Sequence, residues 1–428
     1  MTAEVAILNK IGVALAADST VTITTQGGDK TYNTTNKLFT LSKHHPIGIM
    51  IWNGMLLNSV PMELIIKEFR ESLGTKSKKT VAEYSAAFIK HLKTRSHVTK
   101  ADQAANFQNI MIDFCRSIKD QFLEDCHAQN VPVTEPKLTG ECSKSFSDCL
   151  DRFERMIATC GRNENFKGVS ANALEKNYPS RTTKVVKSIF AMMEPTRAQT
   201  KRFVKLLHQA AVANISSDDF TGIVIAGYGS REHYPQIVSH KMDGIFANRL
   251  KIFETRKSAI SRDCSAVVAP FARREAANLF MEGVDYDYQQ EVNESATKLI
   301  IGLADLSAQF YGIADKKKIA KLKESLAKTA DYYLTRLHKM RISEANKVLE
   351  AIQFLDKPEM AILAENIVSL TALKQKVSLE TETVGGSIDV AFLSKNDGFV
   401  WIKRKHYFDK DLNPFFFERY LSGTGVRQ

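Results

Sequence analysis

The chain lacks any long apolar run, and cysteine is sparse, with six in 428 residues. No hydrophobic stretch approaches the roughly 18 to 20 residues that a membrane-spanning helix needs, so we expect no membrane span. The cysteines have neither a metal-ligand spacing nor a disulfide framework. The pair His44 and His45 has no cysteine or carboxylate partner close by, and the start of the chain does not read as a secretory signal. These absences predict a cytoplasmic protein with reduced thiols and without a metal or cofactor.

The composition that is present predicts a soluble globular protein with a sizeable core, at 44% hydrophobic and 25% charged residues. A net charge of +11 raises nucleic acid as an alternative partner. Its support is three basic clusters, at residues 76–79, 316–323 and 403–408, the last of which alternates basic and aromatic residues. The clusters are scattered and no nucleic-acid-binding motif surrounds them. Nucleic-acid binding is therefore kept only as an alternative function.

A threonine stands directly after the initiator methionine. If Met1 is removed, Thr2 carries a hydroxyl and a free α-amine on adjacent atoms, and the amine can take the hydroxyl proton during attack on a carbonyl. Two apolar runs follow, at residues 5–8 and 13–17, separated by a turn at residues 9–12. This pattern predicts a β-hairpin that buries the end of the chain in a sheet.

Two charged residues are predicted to converge on Thr2. Asp18 follows the second strand, where antiparallel pairing brings it back beside the first residue. Lys37 opens a third run at residues 37–41. A lysine held by Asp18 would place a positive charge near the Thr2 hydroxyl and lower its effective pKa. A fourth run, residues 47–52, leads into Asn53 and Gly54.

The order, spacing and flanking residues of these features resemble the proteasome β-subunit family and its bacterial relatives among the N-terminal-nucleophile hydrolases. The resemblance assigns the nucleophile to Thr2, the acidic residue to Asp18 and the lysine to Lys37. It assigns the backbone turn of the oxyanion hole to Asn53 and Gly54. Later segments that resemble strands of the family lie at residues 222–229, 235–238 and 384–393.

The chain departs from the family pattern near its last Gly-Gly turn. By spacing, the family's auxiliary aspartate and serine fall on Thr381 and Val384, and neither supplies the expected group. Glu380 or Glu382 could replace the aspartate, although a shift of one residue along a strand reverses the face it occupies. A catalytically silent descendant of the family is therefore an open alternative.

The resemblance implies an α+β fold, a four-layer αββα sandwich, and the extra length predicts enlarged helical layers. Residues 1–428 are expected to form a single domain of this kind. Periodic apolar spacing predicts a helical insertion at residues 75–215 and a second helical block at residues 270–378. The chain is about twice as long as this fold needs.

The function expected from these features is a threonine-type endopeptidase that forms an acyl-enzyme on Thr2. Its expected partners are a peptide or unfolded-protein substrate and further copies of the chain in a homo-oligomer, with an unfoldase or regulatory partner left open. The alternatives are an inactive proteasome-fold scaffold, an amidase for small amides, and a nucleic-acid-binding protein.

Overall fold

The computed structural model describes residues 2–25, 28–95, 97–129, 131, 140–191, 193–313, 315–378, 383–409, 411–416 and 418. Within these residues the chain combines antiparallel sheets with long helices, so the predicted α+β class is confirmed. The strands are β1 (Ala3–Asn9), β2 (Val13–Ala17), β3 (Val21–Thr25), β4 (Gly28–Tyr32), β5 (Leu38–Thr40), β6 (Ile47–Asn53), β7 (Leu56–Leu57), β8 (Val60–Pro61), β9 (Thr221–Gly227), β10 (Gln236–Phe246), β11 (Arg249–Ala259), β12 (Ala266–Ala272), β13 (Asp389–Ser394) and β14 (Gly398–Lys403). The helices are α1 (Met62–Leu73), α2 (Val81–Arg95), α3 (Lys100–Ala128), α4 (Gly140–Cys160), α5 (Ala171–Asn177), α6 (Arg181–Ile189), α7 (Arg197–Val212), α8 (Glu275–Glu282), α9 (Tyr286–Phe310), α10 (Lys316–Ile352) and α11 (Lys357–Lys376).

The chain divides into two compact units. The first unit comprises Met1–Leu38, His233–Pro235 and Ala259–Gln428, and the second comprises Phe39–Glu232 and Gln236–Ser258. Each unit contains a five-stranded sheet, in the order β12-β1-β2-β13-β14 in the first and β11-β10-β9-β6-β5 in the second. The four-layer sandwich and the single domain over residues 1–428 stay predictions.

The first sheet is built around the predicted N-terminal hairpin. β1 pairs antiparallel with β12 on one side and with β2 on the other, and β2 pairs with β13. At the hairpin turn the N–H of Asn9 donates to the carbonyl of Gly12 at 3.1 Å. A Cβ at Gly12 would lie 2.5 Å from the carbonyl oxygen of Leu393, so this close approach requires glycine. The hairpin is therefore fixed by packing on β13 as well as by its own turn.

One face of the first sheet is covered by helices. Helix α11 and the end of α10 bury apolar side chains against alternate residues of β1 and β2, as strand periodicity requires. Helices α9 and the rest of α10 are long and largely exposed. The residues of this core are Ala3, Val5, Ile7, Ala14, Ala16, Ala266, Val268, Ala277, Ile352, Met360, Ala361, Ala364, Ile367, Val368, Val384, Val390 and Phe392.

The second unit has two hydrophobic clusters. One joins β6, β9 and β10 to helices α1 and α2. The other is formed almost entirely by helices α3 to α7 and is rich in phenylalanine, with Phe146 packed edge-on against Phe122 and Phe203. These helices lie within the predicted insertion, and they enclose a core of their own. In the described part of the chain, no helix is both long and apolar enough to cross a membrane.

Candidate active site

The start of β1 places two polar side chains on one face of the first sheet. Thr2 immediately precedes the strand and Glu4 lies two residues further, so strand alternation directs both side chains to the same side. Each residue is only 2% exposed. The carbonyl of Thr2 accepts the N–H of Arg273 at 3.1 Å, which continues the pairing of β1 with β12 to the first residue. The backbone that carries Thr2 is therefore held by the sheet.

Asp18 connects the end of β2 to the start of β1 through hydrogen bonds. Its N–H donates to the carbonyl of Ala3 at 3.1 Å, and the N–H of Ala3 donates to its Oδ1 at 3.2 Å. Its Oδ2 accepts the N–H groups of Thr20, at 3.2 Å, and of Gly385, at 3.0 Å. With backbone donors on both oxygens, the carboxylate has one defined orientation.

Lys37 lies just before β5 and its side chain is completely buried. Its ammonium donates to Oδ1 of Asp18, and its Nζ lies 3.4 Å from Oε1 of Glu4. A buried ammonium is costly unless carboxylates or other acceptors face it. The predicted pair of Asp18 and Lys37 is thus present beside Thr2, and a second carboxyl group shares the lysine.

Glu4 is the residue that the sequence analysis missed. The Thr2 hydroxyl donates to Oε2 of Glu4 at 3.0 Å. Burial raises the pKa of Glu4 from its ordinary value of 4.5 to about 8; the charge of Lys37 lowers it and that of Asp18 raises it further. Thr2, Glu4, Lys37 and Asp18 therefore form one continuous buried network. The sequence signal that could have identified Glu4 is its position two residues after Thr2 along a predicted strand, which puts both side chains on the same face.

A Gly-Gly turn after α11 completes the surroundings of Asp18. The N–H of Ser19 donates to the carbonyl of Gly385 at 3.1 Å, and the Ser19 hydroxyl donates to the carbonyl of Ser387. Gly386 has φ +70°, and a Cβ there would lie 2.7 Å from the carbonyl oxygen of Asn33. Glycine is needed at this position because both the backbone conformation and the space exclude a side chain.

Of the two predicted auxiliary positions, only Val384 is among the described residues, and its apolar side chain supplies no polar group to this network. Val384 is buried in the core of the first unit, and its N–H donates to Oε1 of Gln375 at 2.6 Å. Thr381 lies outside the described residues, as do the two candidate substitutes Glu380 and Glu382.

Asn53 and Gly54, the predicted oxyanion turn, belong to the second unit. Asn53 ends β6 with φ +62°, and its Nδ2 donates to the carbonyls of Asp218, at 3.0 Å, and Phe220, at 2.8 Å. The N–H of Gly54 also donates to the carbonyl of Phe220, at 3.0 Å. The structure brings Thr2, Asp18 and Lys37 together within the first unit, and the turn at Asn53 and Gly54 is part of the second. The Gly54 N–H is engaged within the protein.

The basic cluster at residues 403–408 is partly neutralised by carboxylates. Lys403 pairs with Glu365, and Lys405 pairs with the buried Asp389 of β13. The guanidinium of Arg404 lies over the ring of Trp401, with 4.7 Å to the ring centroid. Two of the three positive charges at residues 403–405 are therefore paired with carboxylates, which leaves less charge for a polyanion.

Among the described residues, no group of three or more His, Cys, Asp or Glu side chains is placed to hold a metal ion. All six cysteines are free thiols in the structure. Burial raises the pKa of the Cys115 thiol to about 12 and that of Cys149 to about 11, so neither is an activated nucleophile. The network around Thr2 joins a hydroxyl, an ammonium and two carboxyl groups.

Comparison with known proteins adds little to this geometry. No family model and no curated protein matches the chain. Among solved structures, an Anbu mutant from Hyphomicrobium sp. strain MC1 matches over 100% of this chain and 99% of that chain, with a TM-score of 0.29 and 10% sequence identity. A TM-score this low does not establish a shared fold. The residues around Thr2 in the first unit therefore carry the functional proposal.

Proposed function

We propose that this chain is an N-terminal-threonine hydrolase of the proteasome-like type that cleaves peptide bonds with Thr2 as its nucleophile. The observation that carries the proposal is the buried network in which the Thr2 hydroxyl donates to Glu4, while Lys37 lies between Glu4 and Asp18. Such a network is not needed to close a sheet, since apolar residues would do so at lower desolvation cost.

The proposed reaction begins with cleavage of the Met1–Thr2 bond, which frees the α-amine of Thr2. The Thr2 Oγ1 attacks the carbonyl carbon of the peptide bond while its proton passes to a base. The base returns the proton to the departing nitrogen as the C–N bond breaks, and the acyl group stays bound to Oγ1. Water then releases the acyl group. Lys37, fixed by Asp18, supplies a positive charge that stabilises negative charge developing at this end of the sheet.

A peptide epoxyketone tests the proposal directly, since this reagent closes a ring only with a residue that has both a hydroxyl and a free α-amine. Intact mass is measured before and after incubation with a tripeptide epoxyketone. We expect a protein without Met1 that gains one inhibitor mass. Thr2→Ala should lose the gain, and Thr329→Ala, on the exposed surface of α10, should keep it. A folded protein that has lost Met1 but gains no mass would contradict the proposal.

One observation favours the second candidate, a catalytically silent scaffold with a proteasome-like fold. The N–H of Gly54 donates to the Phe220 carbonyl, so a role in an oxyanion hole would require this N–H to change its partner. A scaffold predicts that Met1 is retained or that Thr2 never reacts. The same mass measurement separates the two functions.

The remaining expectations stand on the sequence resemblance alone. They are a peptide or unfolded-protein substrate, a homo-oligomer, and an unfoldase or regulatory partner whose presence stays open. A cytoplasmic location is a further expectation, which comes from the cysteine content and the start of the sequence. Turnover of peptide amides against small amides distinguishes an endopeptidase from an amidase, since both reactions use the same nucleophile.

A further inference from the structure

We propose that Glu4 is the base that accepts the Thr2 hydroxyl proton during attack and returns it to the leaving amine. This inference rests on the proposed function and deepens it. The simpler expectation for an N-terminal threonine is that its own α-amine takes the proton. The structure offers a second acceptor, on the same strand and already hydrogen-bonded to the hydroxyl.

The geometry is that of a nucleophile bound to a general base. The distance from Thr2 Oγ1 to Glu4 Oε2 is 3.0 Å, with the hydroxyl as the donor. Glu4 lies on β1, which is paired on both sides, opposite Phe271 of β12 and Ala17 of β2, and Thr2 immediately precedes the strand with its side chain on the same face. Neither opposing residue carries a charge. The pairing on both sides keeps the two side chains in register.

Glu4 and Asp18 differ in the groups that donate hydrogen bonds to them. Asp18 accepts N–H groups from Ala3, Thr20 and Gly385 and also the Lys37 ammonium. Both carboxylate oxygens of Asp18 thus already accept hydrogen bonds from these groups. The charged groups that face Glu4 are Lys37, from the segment before β5, and Asp18, from the end of β2. Glu4 is therefore the carboxyl group of the network that receives the nucleophile's hydrogen bond.

Burial makes Glu4 a stronger base than an exposed carboxylate. Its pKa is raised to about 8, chiefly by burial. A carboxylate with a pKa near the working pH is present in a useful fraction and has a useful affinity for a proton. Lys37, 3.4 Å from Oε1, favours the ionised form that can act as the base.

The proton balance of the step is simple. As the bond from Oγ1 to the substrate carbon forms, the O–H bond of Thr2 breaks and its proton moves to Oε2 of Glu4, while the carbonyl electron pair moves to oxygen. When the carbonyl re-forms, the C–N bond breaks and Glu4 returns the proton to the departing nitrogen. Water repeats the sequence in reverse to free the acyl group. No oxidant or cofactor takes part.

A pH profile of the wild-type protein alone cannot identify the base. A terminal α-amine titrates at about 7.7 to 8.0, close to the value for Glu4. The decisive comparison is the rate of adduct formation with the tripeptide epoxyketone at about pH 9.5, where the amine is neutral. We expect Glu4→Gln to slow adduct formation about 100-fold, the lower end of what a general base contributes.

The matched control is Glu282→Gln. It removes a carboxylate of the same unit whose Oε2 lies 3.0 Å from Nε of Arg341, in the ion pair between α8 and α10. This variant should react at the wild-type rate. A Glu4→Gln protein that reacts within about twofold of wild type overturns the role of Glu4 and leaves the threonine hydrolase intact. A folded wild-type protein that has lost Met1 but never reacts overturns both.

A second measurement covers the case in which Glu4→Gln does not fold. Carbon-13 NMR of glutamate-labelled wild-type protein follows the titration of the Glu4 side-chain carboxyl carbon. Thr2→Val removes the hydroxyl with little change of shape, so the Glu4 resonance should move and titrate at a higher pH than in wild type, because a hydrogen bond to the ionised form has been lost. A Glu4 titration that is identical in both proteins contradicts the hydrogen bond and with it the proposal.

Discussion

Among the described residues, two lysine–aspartate pairs are completely buried, one in each unit, and they differ in their surroundings. Lys37 and Asp18 lie in the first unit, and Lys251 and Asp243 lie in the second, with side chains that are 0% exposed in all four residues. The Nζ of Lys251 lies 3.0 Å from Oδ2 of Asp243. A buried pair of this kind is therefore not in itself a mark of catalysis.

Neighbouring hydrogen-bonding groups and an aromatic ring surround and stabilise the pair of Lys251 and Asp243. Asp243 accepts the N–H of Ser217 at 3.2 Å and the hydroxyl of Ser216 at 2.8 Å. Lys251 donates to the carbonyl of Ala210 at 3.4 Å, and its Nζ lies over the ring of Phe114 at 5.2 Å from the centroid. The hydroxyls here donate to the aspartate that holds the lysine.

At the first pair, by contrast, the hydroxyl belongs to the residue next to Met1 and donates to a second carboxyl group. Glu4 shares Lys37 with Asp18, so the lysine links the hydroxyl's acceptor to an aspartate fixed by backbone donors. The difference indicates that the second carboxyl and the position of the hydroxyl, more than the ion pair, mark the candidate active site.

The largest expected effect comes from removing each lysine in turn. Lys37→Met and Lys251→Met should each lower the free energy of unfolding by about 3–5 kcal/mol, because each leaves a buried aspartate without its partner. Only Lys37→Met should also slow epoxyketone adduct formation, by about 100-fold in the protein that remains folded. Denaturant unfolding and intact mass measure the two effects. Equal adduct rates in the two variants would remove the functional distinction between the pairs.

A smaller expected effect is a difference between the two sites in how the free energy of unfolding depends on pH. The folded-state pKa of Glu4, about 8, lies above its ordinary 4.5, so the folded state binds more protons across this range. Stability should therefore fall as pH rises from 4.5 towards 8, by at most about 1.4 kcal/mol per pH unit. Glu4→Gln should flatten this fall. Unfolding free energies of wild type and variant at several pH values within the range check the prediction.

Lys251 should give the opposite slope. Burial lowers its pKa below the ordinary 10.5, so the unfolded state binds more protons between the lowered value and 10.5. Stability contributed by this group therefore rises with pH across that interval. Lys251→Met should remove the rise, which unfolding measurements at alkaline pH detect. A wild-type stability that falls throughout this interval, with no difference from the variant, would contradict the assignment.

Sequence reasoning identified the residues that follow simple periodicity and missed those defined by packing. The hairpin of β1 and β2 was predicted because its apolar runs and turn are local signals, and Asp18 follows from antiparallel pairing. Glu4 was missed because a carboxylate near the start of a strand ordinarily faces water; only burial reveals its contact with Thr2. Lys251 was missed for the same reason.

Helices show the same division between local signals and packing. Helix α3 has a capping box at Thr99 and a long apolar stripe, which are local signals within the predicted helical insertion at residues 75–215. Helices α5 and α6, of seven and nine residues, have too few turns to give a clear apolar period. Their stability comes from the cluster they share with α3 and α7.

The smallest effect is expected when both charges of a pair are removed together. Lys251→Met combined with Asp243→Asn leaves no buried charge, so its unfolding free energy should return to within about 1–2 kcal/mol of wild type, since uncharged replacements of a buried ion pair are often neutral. Lys37→Met with Asp18→Asn should recover stability in the same way but not the rate of adduct formation, because Glu4 and Thr2 would then lack the positive charge. Denaturant unfolding and intact mass, applied to both double variants, measure this contrast. If the second double variant regains the wild-type adduct rate, the ion pair beside Thr2 is as purely structural as the one between β10 and β11.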